Sequence, residues 1–80
     1  MKINLIAYGI AKDIFQSREL EITMKEGDSI TTLKQHLFQM YPDLSGLKSI
    51  SFAVGDDYQD DGYILRENDE VIVIPPVSGG

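Results

Sequence analysis

One stretch of this chain, residues 30–41, repeats its apolar side chains at helical spacing, and it decides what the rest must do. Ile30, Leu33, Leu37 and Met40 follow at intervals of three, four and three, forming one stripe flanked by Phe38 and Tyr41. Ser29 precedes the stripe as an N-cap, its hydroxyl accepting a backbone N–H from the first turn. Pro42 ends it, because the residue before a proline is pushed out of the α region. A single main helix in 80 residues cannot bury its own stripe, so a sheet must cover it.

The flanking segments supply that sheet. Residues 2–8 read as a strand with Ile3 and Leu5 in the core, and its opposite face turns from polar to apolar at Ile6 and Tyr8. Residues 9–17 connect to the next strand, and residues 10–15 allow one helical turn with Ile14 or Phe15 tucked in. Residues 18–25 alternate cleanly: Leu20, Ile22 and Met24 inward, Glu19, Glu21, Thr23 and Lys25 outward. Beyond the helix, Leu44 and Leu47 lie in a loop folding over the core. Residues 49–54 form a strand with Ile50, Phe52 and Val54 on one face. Tyr58 and Gln59 pair briefly between two turns, and residues 63–65 re-enter the core. Residues 66–69 make a tight turn with Asn68 at positive φ, since Asn tolerates that region. Residues 70–74 are the last strand. Strand, strand, helix, strand, short strand, strand is an α+β order. It predicts a β-grasp fold, with one main helix on a mixed sheet of four or five strands.

Composition removes whole classes of chemistry. The chain has no cysteine, which excludes disulfides, thiolate metal sites, iron–sulfur clusters and cysteine nucleophiles. Its start lacks the apolar core of a signal peptide, and a cysteine-free chain fits a reducing compartment, so the expected location is cytoplasmic. No apolar run nears the ~20 residues of a membrane span. A formal net charge of −6 argues against phosphate-mediated nucleic-acid binding and for a partner with a basic surface. His36, the sole histidine, falls between stripe positions and has no second ligand nearby. Asp56, Asp57, Asp60 and Asp61 lack the spaced ligands and closing Glu of a calcium loop. They read as solvated turns which, with Glu67, Asp69 and Glu70, make an acidic flank. The glycines never fall into a phosphate-cradling spacing, and no serine has His and Asp partners. The chain is therefore expected to bind no cofactor or metal and to catalyse nothing alone.

The closing residues carry what signal remains. Inward Val71 and Val73 force Ile72 and Ile74 outward, because strand side chains alternate. A last strand running parallel to the first sets these beside Ile6 and Tyr8, giving either an apolar docking face or a patch under a loop. Pro75 and Pro76 stop the strand and favour an extended backbone. Residues 1–74 are thus the folded domain. Residues 75–80 (Pro75, Pro76, Val77, Ser78, Gly79 and Gly80) are a tail that reaches ~15–20 Å if fully extended. Read alone, it is either a frayed end or a presented arm.

Residues 67–80, an acidic turn, an apolar strand, Pro-Pro-Val, Ser and Gly-Gly, resemble the end of the ubiquitin-like sulfur carriers. The likeness is closest to the small, sulfur-carrier subunit of molybdopterin synthase. Residues 8–13 resemble the family more loosely, with Lys12 and Asp13 where members often carry Arg and Glu. Asn68 stands where Gly is usual. The resemblance implies a thiocarboxylate at Gly80. An activating enzyme uses ATP to adenylate that carboxylate, and persulfide sulfur then displaces AMP. The tail, Pro75 to Gly79, enters the large subunit's active site. There sulfur passes to a cyclic pyranopterin monophosphate, forming the molybdopterin dithiolene. It also implies a heterotetramer of two small and two large subunits, with the catalytic groups on the large ones. Carriers for thiamine thiazole or tRNA thiolation, and ubiquitin-like protein modifiers, share the fold and the Gly-Gly end and remain alternatives.

Overall fold

The computed structural model describes residues 1–47 and 49–75. The elements run β1 (Lys2–Ala7), α1 (Gly9–Phe15), β2 (Glu19–Thr23), α2 (Ile30–Met40), a 3-10 turn (Pro42–Gly46), β3 (Ser51–Val54), β4 (Asp57–Gln59) and β5 (Glu70–Ile74). The five strands form one mixed sheet in the order β2-β1-β5-β3-β4. Among the described strand pairs only the central β1–β5 pair is parallel. β2 and β3, which α2 joins, each lie antiparallel to that pair and so run in the same sense, as a helical crossover requires. This is the β-grasp architecture.

The helix α2 lies on one face of the sheet. Its Ile30, Leu33 and Leu37 are buried against Ile3, Leu5, Phe52, Val71 and Val73. Ser29 caps it in extended backbone, its hydroxyl accepting the Thr32 N–H at 3.5 Å. Leu44, in the 3-10 turn, closes one end of the core and is fully buried. Asn68 takes φ 66°, and Asp69 ties the turn by accepting the Arg66 N–H at 2.9 Å.

Several expectations need correction. The first connection is a helix of seven residues, α1, with Ala11 and Phe15 buried; Ile14 is only partly covered. Phe15 packs on Tyr41, ring centroids 4.8 Å apart. Met40, placed in the stripe, is half exposed. At ~100° per residue it lies ~60° from Leu37, while Tyr41 lies only ~40° away on the other side. Tyr41 therefore takes the seat against Phe15. Tyr8, Arg18, Met24 and Lys25 fall outside their strands, as do Ser49 and Ile50. Within 63–65 only Leu65 is buried, and Ile64 is half exposed.

Candidate functional site

The face of the sheet opposite α2 is the candidate site, and strand register builds it. Ile6 pairs with Ile72, and Ile72 pairs with Ala53. Ala53 in turn pairs with Tyr58, and Ile6 with Glu19. Register partners share a face, so Glu19, Ile6, Ile72, Ala53 and Tyr58 form one row across all five strands. One step toward the carboxyl end of β5, Ile74 pairs with Ser51. Tyr8, in extended backbone just past β1, continues the register toward Ile74.

All four residues expected on this face thus stand together. Ile6, Ile72 and Ile74 are partly exposed and Tyr8 is 51% exposed, so among the described residues no loop closes over the patch. Two members were missed. Ala53 is buried between larger neighbours, and Tyr58, 71% exposed, is the most open large apolar side chain among the described residues. The signal was present, since inward Phe52 and Val54 leave Ala53 outward and its β4 partner beside it.

Pro75 sits at the carboxyl end of β5, against the β1–α1 turn. A methyl group built on Gly9 would lie 3.8 Å from Pro75 Cγ. Gly9 itself has φ +57°, which a side chain rarely adopts. The root of the tail therefore leaves beside Tyr8 and Ile74. Pro76, Val77, Ser78, Gly79 and Gly80 lie outside the described residues.

The opposite end of the same face is acidic. Asn4 pairs with Glu70 and with Glu21, and a depression of about 340 Å³ is lined by Asn4, Ile6, Glu19, Leu20, Glu21 and Glu70. Lys2 reaches Glu21 across 3.7 Å, an exposed pair of little energetic weight. The wider acidic flank divides. Asp61 pairs with Lys34 at 3.0 Å, and Asp60 accepts the Gly62 N–H. Asp69 accepts the Tyr63 hydroxyl at 3.0 Å, so these three act inside the fold. Burial pushes the Tyr63 phenol above its usual range, the Asp69 hydrogen bond and charge add to this, and Arg66 partly offsets it. Asp56, Asp57 and Glu67 remain exposed. Among the described residues, no group of three or more His, Asp or Glu side chains is placed to hold a metal ion. No described helix is long and apolar enough to cross a membrane. His36 is exposed on α2.

Known proteins match this arrangement. The model of the ThiS family matches residues 6–80. The molybdopterin synthase sulfur carrier subunit of Arabidopsis thaliana is 26% identical over 81 residues, covering 100% of this chain and 84% of that protein. The subunit of the same name from Dictyostelium discoideum is 33% identical over 64 residues, covering 76% of this chain and 73% of that one. Among solved structures, SAMP1 from Haloferax volcanii superimposes with a TM-score of 0.84 at 17% identity, over 100% of both chains. A chain from the complex of subunits 1 and 2 of molybdopterin-converting factor from Helicobacter pylori gives 0.70 at 21% identity, again over 100% of both. At these identities the structural likenesses speak for the fold.

Proposed function

The chain belongs to the ThiS family, and from that premise we propose that it is the sulfur-carrier subunit of a molybdopterin synthase. The observation carrying the proposal is the common end of patch and tail. β5 brings Ile72 and Ile74 to the exposed face and delivers Pro75 beside Tyr8. A partner seated on Ile6, Tyr8, Ile72 and Ile74, with Ala53 and Tyr58 extending the contact, receives the tail at its edge.

The chemistry follows from what the chain lacks. A free carboxylate resists substitution until an oxygen is made a leaving group, so Gly80 needs a separate enzyme that adenylates it with ATP. The outer sulfur of a persulfide displaces AMP to give an acyl disulfide. A thiol then cleaves its S–S bond, leaving a disulfide on the donor side and a thiocarboxylate on Gly80, a soft nucleophile that no side chain of this protein supplies. The acids and bases that pass sulfur to the pterin belong to the large subunit. The carrier gives reach, a docking face and a reactive end, and binds no cofactor. We expect two carriers to flank two large subunits. The subunit 1–subunit 2 complex named for the Helicobacter pylori relative supports the choice of partner.

Intact mass spectrometry tests the assignment. After incubation with an activating enzyme, ATP, a persulfide source and a thiol reductant, the purified chain should exchange one oxygen for sulfur, and the product should convert the pterin precursor when the large subunit is added. An unchanged mass, or adducts joined to lysines of other proteins, would overturn it. The lysine adducts would mark a protein modifier. Sulfur charging without pterin conversion would point to a thiazole or tRNA carrier.

A further inference from the structure

The sheet has two edges, β2 and β4, and β2 is the longer. The alternation of antiparallel bonds fixes which way its backbone points. The Ala7 N–H donates to the Arg18 carbonyl and the Met24 N–H to the Met1 carbonyl. By the period of two, Arg18, Leu20, Ile22 and Met24 direct their N–H and C=O groups at β1. Glu19, Glu21 and Thr23 direct theirs away from the sheet. The Ser17 hydroxyl takes the Glu19 carbonyl, and the Lys25 N–H is committed to the Asp28 carboxylate. The Glu19 N–H and both groups of Glu21 and Thr23 have no partner among the described residues. No proline, glycine or bulge blunts this edge.

We propose that β2 takes an added strand from a partner protein. Its extended segment carries two basic side chains at alternate positions, opposite Glu19 and Glu21, with an apolar residue between them over Leu20. Residues opposite Glu19 and Glu21 share the outer face with those carboxylates and with Glu70 across the acidic depression. The residue between them points to the helix side, where Leu20 is left half-buried at the rim of the core. Arg18 and Lys25 bracket the acidic stretch, which limits the favourable basic positions to two. The net charge of −6 favours a basic partner in the same sense.

A second copy of this chain fits less well. Pairing centred on Glu21 sets that carboxylate against its own copy, and like charges directly opposite are destabilising. Sliding to bring Glu19 to Lys25 meets an amide already bonded to Asp28. The edge is thus guarded against itself and open to a basic strand. The inference stands apart from the sulfur chemistry, since it needs neither the tail nor an activating enzyme.

Amide exchange by NMR on the full chain tests it, with a short blocked peptide alternating lysine and valine as the probe. In the free protein, Glu21 and Thr23 amides should exchange fast and Leu20 and Ile22 slowly. With the peptide at about nine-tenths occupancy, Glu21 and Thr23 should slow roughly tenfold, because protection tracks the free fraction. The same peptide with glutamate for lysine should give no protection. Glu19→Lys with Glu21→Lys should reverse the preference. Protection by both peptides alike, shifts confined to Ile6, Ile72 and Tyr58, or protection that grows with protein concentration without peptide would each overturn the proposal. The last would reveal an edge-to-edge dimer.

Discussion

Ile72 and Val73 are neighbours in one strand and should fail in opposite ways. Val73 is fully buried, in register with Ala7 and Phe52 beneath α2. Val73→Ala removes its two methyl groups, worth ~0.8 kcal/mol per carbon in transfer, and leaves part of their volume empty. The sum is ~2 kcal/mol. An 80-residue domain holds about 4–12 kcal/mol in all, so this is a large fraction. At 4–8 °C per kcal/mol the midpoint should fall by roughly 8–16 °C. Ile72 is partly exposed between Ile6 and Ala53, so Ile72→Ala should cost no more than ~1 kcal/mol. Its effect should appear instead in binding to the large subunit, weakened about tenfold if Ile72 is desolvated there. Urea titration followed by circular dichroism reads the first quantity and isothermal titration calorimetry the second. Equal loss of stability in both variants, or undiminished binding by Ile72→Ala, would refute the assignment of faces.

Gly9→Ala should lose ~1 kcal/mol of stability in urea titrations through its positive φ, since the 3.8 Å to Pro75 leaves room for a methyl group. Gly9→Asn should recover part of that loss. The Tyr63 phenol has a raised folded pKa, so its contribution is complete below the unfolded value near ~10 and is lost as pH climbs through the higher folded value. Melting curves should show stability falling in that alkaline window, and Tyr63→Phe should flatten the fall. One glycine inserted between Ile74 and Pro75 lengthens an extended tail by ~3 Å, and with it the reach of the proposed sulfur-carrying end. Stability and docking should stay within ~0.5 kcal/mol while sulfur transfer in a single-turnover assay drops roughly 10- to 100-fold. Unchanged transfer would separate reach from reactivity.

The elements legible in the sequence were those whose periodicity and end signals agreed. In α2, stripe, cap and proline stop coincide; β2 alternates polar and apolar without interruption, and the apolar run of β5 is bounded by the Asn68–Asp69 turn and the prolines. Asn68 announced its turn because few other residues accept φ 66°. The helix α1 was seen only as a turn for physical reasons. It has no side-chain cap at Tyr8, opens on Gly9, and ends at Gln16 in left-handed backbone without the glycine that usually marks such an end. Its periodic signal is two pairs four apart, Ile10 with Ile14 and Ala11 with Phe15, which spans too few residues to distinguish a helix from a single turn. Tyr58 escaped because β4 is three residues long, and only pairing with Ala53 gives it a face.

The parallel sense of β1 and β5 makes the face a working surface. A constant register carries Asn4 beside Glu70, Leu5 beside Val71, Ile6 beside Ile72 and Ala7 beside Val73. The next steps bring Tyr8 to Ile74 and Gly9 to Pro75, as the Gly9–Pro75 approach shows. The tail therefore leaves at the apolar end of the face. Had β5 run antiparallel, it would have left at the other end, beside Asn4 and the carboxylate of Glu21. In the proposed function one strand thus couples docking to delivery, while the acidic end stands about four residues, or ~13 Å, from the exit. Under the proposed function, a partner whose basic groups seek that end would be turned so that its apolar surface meets Ile6 and Ile72 and its active site faces the exit at Pro75. In that reading charge sets the orientation, apolar contact holds it, and the strand direction determines where the chain leaves the sheet.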